Sequence, residues 1–131
     1  MNSSAEKAVI DSSVLFAALF RGSDAAVSAL SGRQLVTSAV SHAELLYRGM
    51  QCGTQLEYVS AVVDRLSIGV VAVQASQAIA VASLRHQGGG MNLQPEAWFC
   101  IALAQSLECP VLTSDPAWRE LRVGVPIEFV E

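Results

Sequence analysis

Short apolar runs alternate with longer segments of helical periodicity along the chain. The apolar runs predict strands at residues 8–10, 34–37, 68–73, 111–113 and 127–130. Between them, apolar residues recur about every three to four positions, as is typical of amphipathic helices. Strands that alternate with helices connect through right-handed crossovers. The order therefore predicts an α/β fold, a three-layer α/β/α sandwich with a mostly parallel central sheet of about five strands.

Capping residues predict where several helices begin. Asp11 or Ser12 precedes the helical pattern that starts at Val14. Ser41 and Thr54 are predicted to cap the two long helices that follow the second strand, because their hydroxyls can accept a hydrogen bond from a first-turn N–H. Polar caps at these positions divide the chain into short elements.

The second half of the chain adds a strand, a loop and a helix. Residues 68–73 are a continuous, largely β-branched run, which predicts a strand buried on both faces of the sheet. Residues 88–90, Gly-Gly-Gly, lack the lysine and hydroxyl residue of a phosphate-binding loop and are predicted to form a flexible loop. Pro95 fits the first turn of a helix that continues to about residue 106, since its missing N–H would have no partner there.

Composition favours one folded domain over residues 1–131. Hydrophobic residues make up 52% of the 131 positions and charged residues 15%, which excludes a disordered chain. The apolar stretches are far shorter than the roughly 20 residues of a spanning helix, so we expect no membrane segment. The first residues, MNSSAEK, lack the features of a secretory signal. A cytoplasmic location is therefore expected.

Charge and cysteine content narrow the choice of partners. A net charge of −4 argues against a nonspecific duplex binder. Cys52, Cys100 and Cys109 form an odd set without a CxxC pair, so a disulfide framework and a thiolate zinc site are both disfavoured and buried thiols are expected. The apolar surplus of so small a chain suggests that another chain covers part of its helical surface.

Three acidic residues are candidates for chemistry. Asp11 and Asp115 each follow a predicted strand, and Glu44 lies in the helix after the second strand. The carboxyl ends of parallel strands open onto one crevice, where clustered carboxylates are usually held together by a hard cation such as Mg²⁺ or Mn²⁺. The alternatives are plain: each aspartate is equally suited to cap the next helix, and Glu44 alone is more often a solvated residue.

Three segments, in their order and spacing, resemble the motifs of PIN domains: VIDSSVL at 9–15, SHAELLYRG at 41–49 and PVLTSD at 110–115. The likeness covers nearly the whole chain, which resembles the VapC-type toxins of toxin–antitoxin systems. It implies a metal-dependent endoribonuclease that uses Mg²⁺ or Mn²⁺, an RNA substrate, a cognate VapB-like antitoxin and a homodimer. A phosphoaspartate-forming phosphohydrolase is disfavoured, since no acid stands two residues after Asp11.

The resemblance also implies roles for individual residues. Asp11, Glu44 and Asp115 match the first, second and last acids of the family. Asp11 and Asp115 would be the leading metal ligands, with Glu44 binding directly or through water. Ser13 and Thr113 would support them through hydroxyl hydrogen bonds, although helix capping or solvent exposure is the simpler role for Ser13.

One position departs from the family pattern. Counted back from Ala102 and Ala104, the third acid of the family falls on Ala97, and alanine cannot bind a metal. Glu96 is the doubtful substitute, because one step along a helix rotates a side chain by about 100°. Otherwise the site is degenerate, or the alanine was introduced to disarm the enzyme. An inactive site would make the chain a PIN domain that serves as an RNA- or protein-binding module.

Two further polar residues lie near Glu44. Arg48 follows Glu44 by four residues, so a surface ion pair between them is favoured over a contact between Arg48 and an RNA phosphate. His42 is two residues from Glu44 and thus on a different face of the helix. We expect His42 to have a structural or solvent-exposed role.

Overall fold

A computed structural model describes residues 6–88 and 92–131 of the chain. Within these residues it contains five strands, six α-helices and one 3₁₀ helix. In chain order they are β1 (Lys7–Ile10), α1 (Ser12–Phe20), α2 (Asp24–Ala29), β2 (Gln34–Ser38), α3 (Ala39–Gln51), α4 (Leu56–Arg65), β3 (Gly69–Val71), α5 (Ala75–Gln87), α6 (Pro95–Leu107), β4 (Val111–Thr113), the 3₁₀ helix (Pro116–Glu120) and β5 (Ile127–Phe129).

The strands form one parallel sheet in the order β3-β2-β1-β4-β5. The predicted α/β class with a five-stranded parallel sheet is therefore confirmed. β1 lies at the centre, and its Ile10 is in register with Leu112 of β4. Because these strands are parallel, Asp11, which follows β1, and Ser114, which follows β4, lie at the same end of the sheet.

Helices cover both faces of the sheet. Ala8 and Ile10 of β1 point into an apolar cluster formed with residues of α1, α3 and α4, whereas Val9 points into a second cluster formed with α5 and α6. This alternation follows from the period of two residues in a strand. All three side chains are fully buried, which contributes roughly 1.5–3 kcal/mol for each large aliphatic side chain.

The segment at residues 68–73 is not the doubly buried strand that its composition predicts. β3 spans only Gly69–Val71 and lies at the edge of the sheet, where Val70 is 44% exposed. The prediction was wrong because β-branched composition indicates a strand but not its position in the sheet, and an edge strand has a single neighbour.

Two of the predicted helix caps were also wrong. Ser38, the last residue of β2, caps α3 by accepting a hydrogen bond from a first-turn N–H, while Ser41 is buried within the helix beside the thiol of Cys100. Gln55 rather than Thr54 is the cap position of α4. Side-chain type alone cannot place a cap when several hydroxyl residues stand close together.

The predicted start of α6 and the burial of two cysteines agree with the structure. Pro95 lies in the first turn of α6, as predicted. Cys100 and Cys109 are buried free thiols, but Cys52 is exposed at the end of α3, which corrects the expectation that all three are buried. Of the glycine run, residues 89 and 90 lie outside the described residues. None of the helices within 6–88 and 92–131 is long and apolar enough to cross a bilayer.

Candidate active site and metal centre

A cavity of about 260 Å³ lies at the carboxyl ends of β1 and β4. It is bounded by one face of α1, by the first turn of α6, by α3 and by the loop after β4. Four carboxylates are among its lining residues: Asp11, Glu44, Glu96 and Asp115. The structure therefore brings together every acidic residue considered from the sequence, including Glu96.

Asp11 is the most deeply buried of these acids, at 1% exposure. Its Oδ1 accepts hydrogen bonds from the Ser13 hydroxyl at 2.6 Å and from the Val14 N–H at 3.2 Å, and so it caps α1. Its Oδ2 accepts a hydrogen bond from the Thr113 hydroxyl at 2.6 Å. Burial raises the pKa of Asp11, and the hydrogen bonds partly oppose that rise. Asp11 thus combines the capping role with a place in the cavity.

The same hydroxyls connect Asp11 to the loop after β4. The Ser13 hydroxyl accepts a hydrogen bond from the N–H of Ser114 at 2.8 Å, and the Thr113 hydroxyl accepts one from the N–H of Asp115 at 3.1 Å. The Asp115 carboxylate is half-buried and caps the 3₁₀ helix through the N–H of its second residue at 2.9 Å. Ser13 and Thr113 therefore hold the two strand ends, and with them the two aspartates, in a fixed relation.

Glu96, in the first turn of α6, has one carboxylate oxygen without a partner. Its Oε1 accepts a hydrogen bond from the Ser12 hydroxyl at 2.6 Å, whereas its Oε2 is buried and unpartnered among the described residues. Burial raises the pKa of Glu96 to about 7; the negative charges of Asp11 and Glu44 add to that rise, and the hydroxyls of Ser12 and Ser41 partly oppose it. An unpaired buried carboxylate oxygen is costly, so its presence requires an explanation.

Ala97, the position expected for an acid, points elsewhere. It is 3% exposed and packs in the apolar cluster shared with α5. The phase of α6 directs Glu96 to the cavity and its neighbour to the core, as the rotation of about 100° per residue requires. The sequence is compatible with three explanations: Glu96 takes the place of the missing acid, the site is degenerate, or the alanine was introduced. The position of Glu96 in the cavity favours the first explanation.

The surroundings of Glu44 differ from expectation. Glu44 is exposed at the mouth of the cavity. Arg48 does not form the predicted ion pair with Glu44 among the described residues; its guanidinium carbon lies 3.8 Å from the centre of the Phe16 ring. His42 is half-buried and outside the described lining of the cavity, and burial lowers its pKa. The structural role expected for His42 agrees with this position.

Several lining residues were missed from the sequence. Ser12 is predicted only as a cap, and the sequence predicts no role for Phe16 or Arg21, yet all three line the cavity. The spacing of four residues between Ser12 and Phe16 was an available signal, because it puts both side chains on one face of α1. The position of Arg21 just beyond the helix offers no comparable signal.

The cavity residues fit a hard divalent cation in their chemistry. Within residues 6–88 and 92–131, no group of three or more His, Cys, Asp or Glu side chains is arranged to hold one metal ion. Mg²⁺, however, usually keeps several waters and is bound by one or two carboxylates together with substrate phosphate. The buried carboxylate of Asp11 and the half-buried carboxylate of Glu96, which has one unpartnered oxygen, match that mode of binding, and both have a raised pKa.

Solved structures with a similar fold include toxin–antitoxin proteins. The DNA-bound VapBC2 of Rickettsia felis matches with a TM-score of 0.75 at 13% identity, covering 95% of this chain and 99% of that one. The DNA-bound VapBC of Salmonella typhimurium matches with a TM-score of 0.73 at 20% identity, covering 94% and 97%. The sarcin-ricin loop cleaving toxin VapC20 of Mycobacterium tuberculosis matches with a TM-score of 0.69 at 16% identity, covering 83% and 90%.

Sequence comparison adds the family. No curated protein matches the chain in sequence, and identities to the solved structures are low enough that they show the fold alone. The family model described as PIN domain matches residues 8–124, which include all four carboxylates of the cavity. The chain therefore belongs to the PIN-domain family, as its motifs suggested.

Proposed function

We propose that this chain is the toxin of a VapBC-like module, an endoribonuclease that hydrolyses RNA with Mg²⁺ or Mn²⁺ in the cytoplasm. The buried, unpartnered oxygen of Glu96 beside Asp11 is the observation on which the proposal depends. Family membership supports a nuclease, and the similar VapC20 is a toxin that cleaves the sarcin-ricin loop.

Each side chain of the cavity has a distinct role in the proposed reaction. Asp11 and Glu96 would hold the cation directly, and Asp115 and Glu44 would bind it through water. When bound, such an ion lowers the pKa of water and neutralises charge that develops on the phosphate. The hydroxyl of Thr113, which donates to Asp11, holds that carboxylate in one orientation, so little reorganisation is needed during the reaction. Glu44, at the exposed mouth, orients the attacking water.

The experiment is cleavage of a mixed RNA pool with Mg²⁺ or Mn²⁺ and with EDTA. We expect Asp11→Asn and Glu96→Gln each to reduce the metal-dependent rate by at least about 100-fold. Asp64→Asn and Glu120→Gln are matched controls, because they make the same chemical changes at exposed positions away from the cavity, and they should keep the full rate. Equal activity of Glu96→Gln and Glu120→Gln would contradict the proposed role of Glu96.

A further variant, Ala97→Asp, tests whether the chain is a disarmed enzyme. Because Ala97 is 3% exposed among apolar side chains, an aspartate there would place a charge in the core, and we expect no gain of activity. Activity that appears only in Ala97→Asp would instead identify a disarmed site. Silence of every variant on all RNA tested would favour the inactive PIN domain as a binding module.

We also propose a cognate VapB-like antitoxin and a homodimer as partners. Exposed apolar side chains cluster along α3 and α4: Tyr47 at 58%, Met50 at 51%, Leu56 at 40% and Tyr58 at 62% exposure. Such a surface is typical of one that another chain covers. The similar solved structures include VapBC complexes, which supports an antitoxin. Size-exclusion chromatography with light scattering tests the dimer, and a monomer would contradict it.

A further inference from the structure

A hydroxyl and a thiol meet in the core between α3 and α6. The Ser41 Oγ of α3 lies 2.9 Å from the Cys100 Sγ of α6, and both side chains are fully buried. Neither residue is among those that line the cavity of the four carboxylates. Within residues 6–88 and 92–131, no other side-chain hydrogen bond or ion pair joins these two helices. We call this polar link between α3 and α6 the Ser41–Cys100 bond.

Helix formation does not account for the Ser41–Cys100 bond. A buried hydroxyl is costly unless it is hydrogen-bonded, and serine has a lower helix propensity than alanine. Ser41 does not cap α3, because Ser38 has that role. A buried thiol, by contrast, behaves as a small apolar group and needs no partner. The hydroxyl is therefore the member of the pair whose presence in the core requires an explanation.

Two carboxylates of the cavity lie one helical turn from the Ser41–Cys100 bond. Glu44 follows Ser41 by three residues on α3, and Glu96 precedes Cys100 by four residues on α6. Residues at these separations are neighbours on the surface of a helix. A hydrogen bond that joins the two helices at this level therefore restricts the spacing between the carboxylates of Glu44 and Glu96. The Ser41 hydroxyl also opposes the rise in the pKa of Glu96, so it acts on that carboxylate as well.

The carboxylate of Glu96 needs support from its neighbours. Its long side chain loses rotamer freedom when the carboxylate is held in one position, which costs free energy. The position that the family pattern gives to an acid is Ala97, which packs in the core, so this chain has to present its carboxylate from residue 96. The Ser12 hydroxyl of α1 holds Oε1 of Glu96 at 2.6 Å. The Ser41–Cys100 bond adds a second anchor for α6, from α3.

We propose that Ser41 is a positioning residue for the cation site, and that its hydrogen bond with Cys100 sets the spacing of Glu44 and Glu96. The inference rests on the proposed function, since it concerns residues assigned there to the cation. Ser41 acts through the two helices and contacts neither the cation nor the RNA. Without the bond, α3 and α6 are free to shift, and the affinity of the carboxylates for one ion falls. Groups that orient metal ligands in this way commonly change metal affinity by about 10- to 100-fold.

Binding of Mn²⁺ alone to the full chain, without RNA, tests this role. Electron paramagnetic resonance of the free ion gives the dissociation constant for each variant. We expect Ser41→Ala and Cys100→Ala, which each remove one half of the bond, to weaken Mn²⁺ binding about tenfold. Cys100→Ser keeps a donor and an acceptor at this position and should bind Mn²⁺ within about twofold of wild type.

A control separates positioning from loss of stability. Val63→Ala removes buried side-chain volume from α4 and should lower the free energy of unfolding by about 1–3 kcal/mol without breaking the Ser41–Cys100 bond. Its Mn²⁺ affinity should equal that of wild type. Equal losses of Mn²⁺ affinity in Val63→Ala and Ser41→Ala would reflect stability and would overturn the positioning role. Equal losses in Cys100→Ser and Cys100→Ala would overturn it too, because the hydrogen bond would then be irrelevant.

The outcomes also separate this inference from the proposed function. RNA cleavage by wild type, together with unchanged Mn²⁺ affinity in Ser41→Ala and Cys100→Ala, would overturn the positioning role and leave the nuclease intact. Weaker Mn²⁺ binding in both variants, with affinity retained in Cys100→Ser, would support the role. The same result in a chain that cleaves no RNA would support the role and contradict the nuclease. Absence of Mn²⁺ binding by wild type would overturn both proposals.

Discussion

Glutamine in place of Glu96 removes a buried charge while keeping the size of the side chain and its acceptor for Ser12. The pKa of Glu96 is about 7 in the folded chain, against an ordinary value of 4.5. At about 1.4 kcal/mol per pH unit, the gap corresponds to roughly 3 kcal/mol. Solvent at this partly buried site reduces the figure, so we expect about 1–3 kcal/mol.

The direction of the effect follows from proton linkage. The folded chain binds the Glu96 proton more tightly than the unfolded chain does, because its pKa is raised. The contribution of Glu96 to stability is therefore fully present below about pH 4.5 and is lost as the pH rises through about 7. Glu96→Gln has no such loss. Its free energy of unfolding should match that of wild type near pH 4.5 and exceed it by about 1–3 kcal/mol at pH 8.

Urea denaturation in EDTA at the two pH values measures this difference. Glu120→Gln is the control, since that exposed side chain lies outside the cavity and should change stability equally at both. Added Mg²⁺ should stabilise wild type at pH 8 more than Glu96→Gln, because a ligand that binds only the folded state raises its stability. If Glu96→Gln is no more stable than wild type at pH 8 in EDTA, the reasoning from the buried carboxylate is refuted.

Other substitutions test the hydrogen bonds, packing and surface of the molecule. Thr113→Val leaves Oδ2 of Asp11 buried without its donor, and urea denaturation should show a loss of about 1–3 kcal/mol. In Gly49→Ala the new methyl would lie 3.0 Å from both the Phe20 ring and Val59, so the same assay should show a loss of about 1–3 kcal/mol; a neutral result would show that α3 and α4 shift freely. Tyr58→Lys should weaken the proposed dimer or antitoxin complex in light scattering while leaving the circular dichroism spectrum of the folded chain unchanged, and unaltered assembly would exclude this surface.

The periodicity of apolar residues was sufficient to predict the parallel sheet, its helices and the end of the sheet where the candidate site lies. The short apolar runs identified β1, β2 and β4 because such runs cannot be buried as helices of that length. The same local signal could not distinguish a central strand from an edge strand, as residues 68–73 show, since that depends on which elements pack beside it. The caps predicted at Ser41 and Thr54 were wrong for a related reason, because neighbouring polar residues compete and tertiary packing decides among them.

The candidate site was predicted in part for equally physical reasons. Asp11 and Asp115 each come after a strand, so sheet topology alone brings them to the same end of the sheet. The sequence could not assign Glu96 to the cavity, because the packing of the apolar face of a helix decides which side chains face the sheet. An error of one residue in that orientation exchanges a side chain in the cavity for one in the core. In the structure Ala97 occupies the core face, which frees Glu96 to point at the cavity.

Among the three acids of the cavity that are at least partly buried, Glu96 is the one whose position stability does not explain. Asp11 caps α1 and Asp115 caps the 3₁₀ helix, so both would be retained by folding alone. The Glu96 carboxylate has one oxygen without a partner, and burial and the charges of Asp11 and Glu44 disfavour its ionised form. A side chain that destabilises the folded chain at neutral pH is expected where a positively charged ligand offsets the charge. Glu96 is therefore the residue on which the proposed metal site depends, because the two aspartates alone would be explained as helix caps.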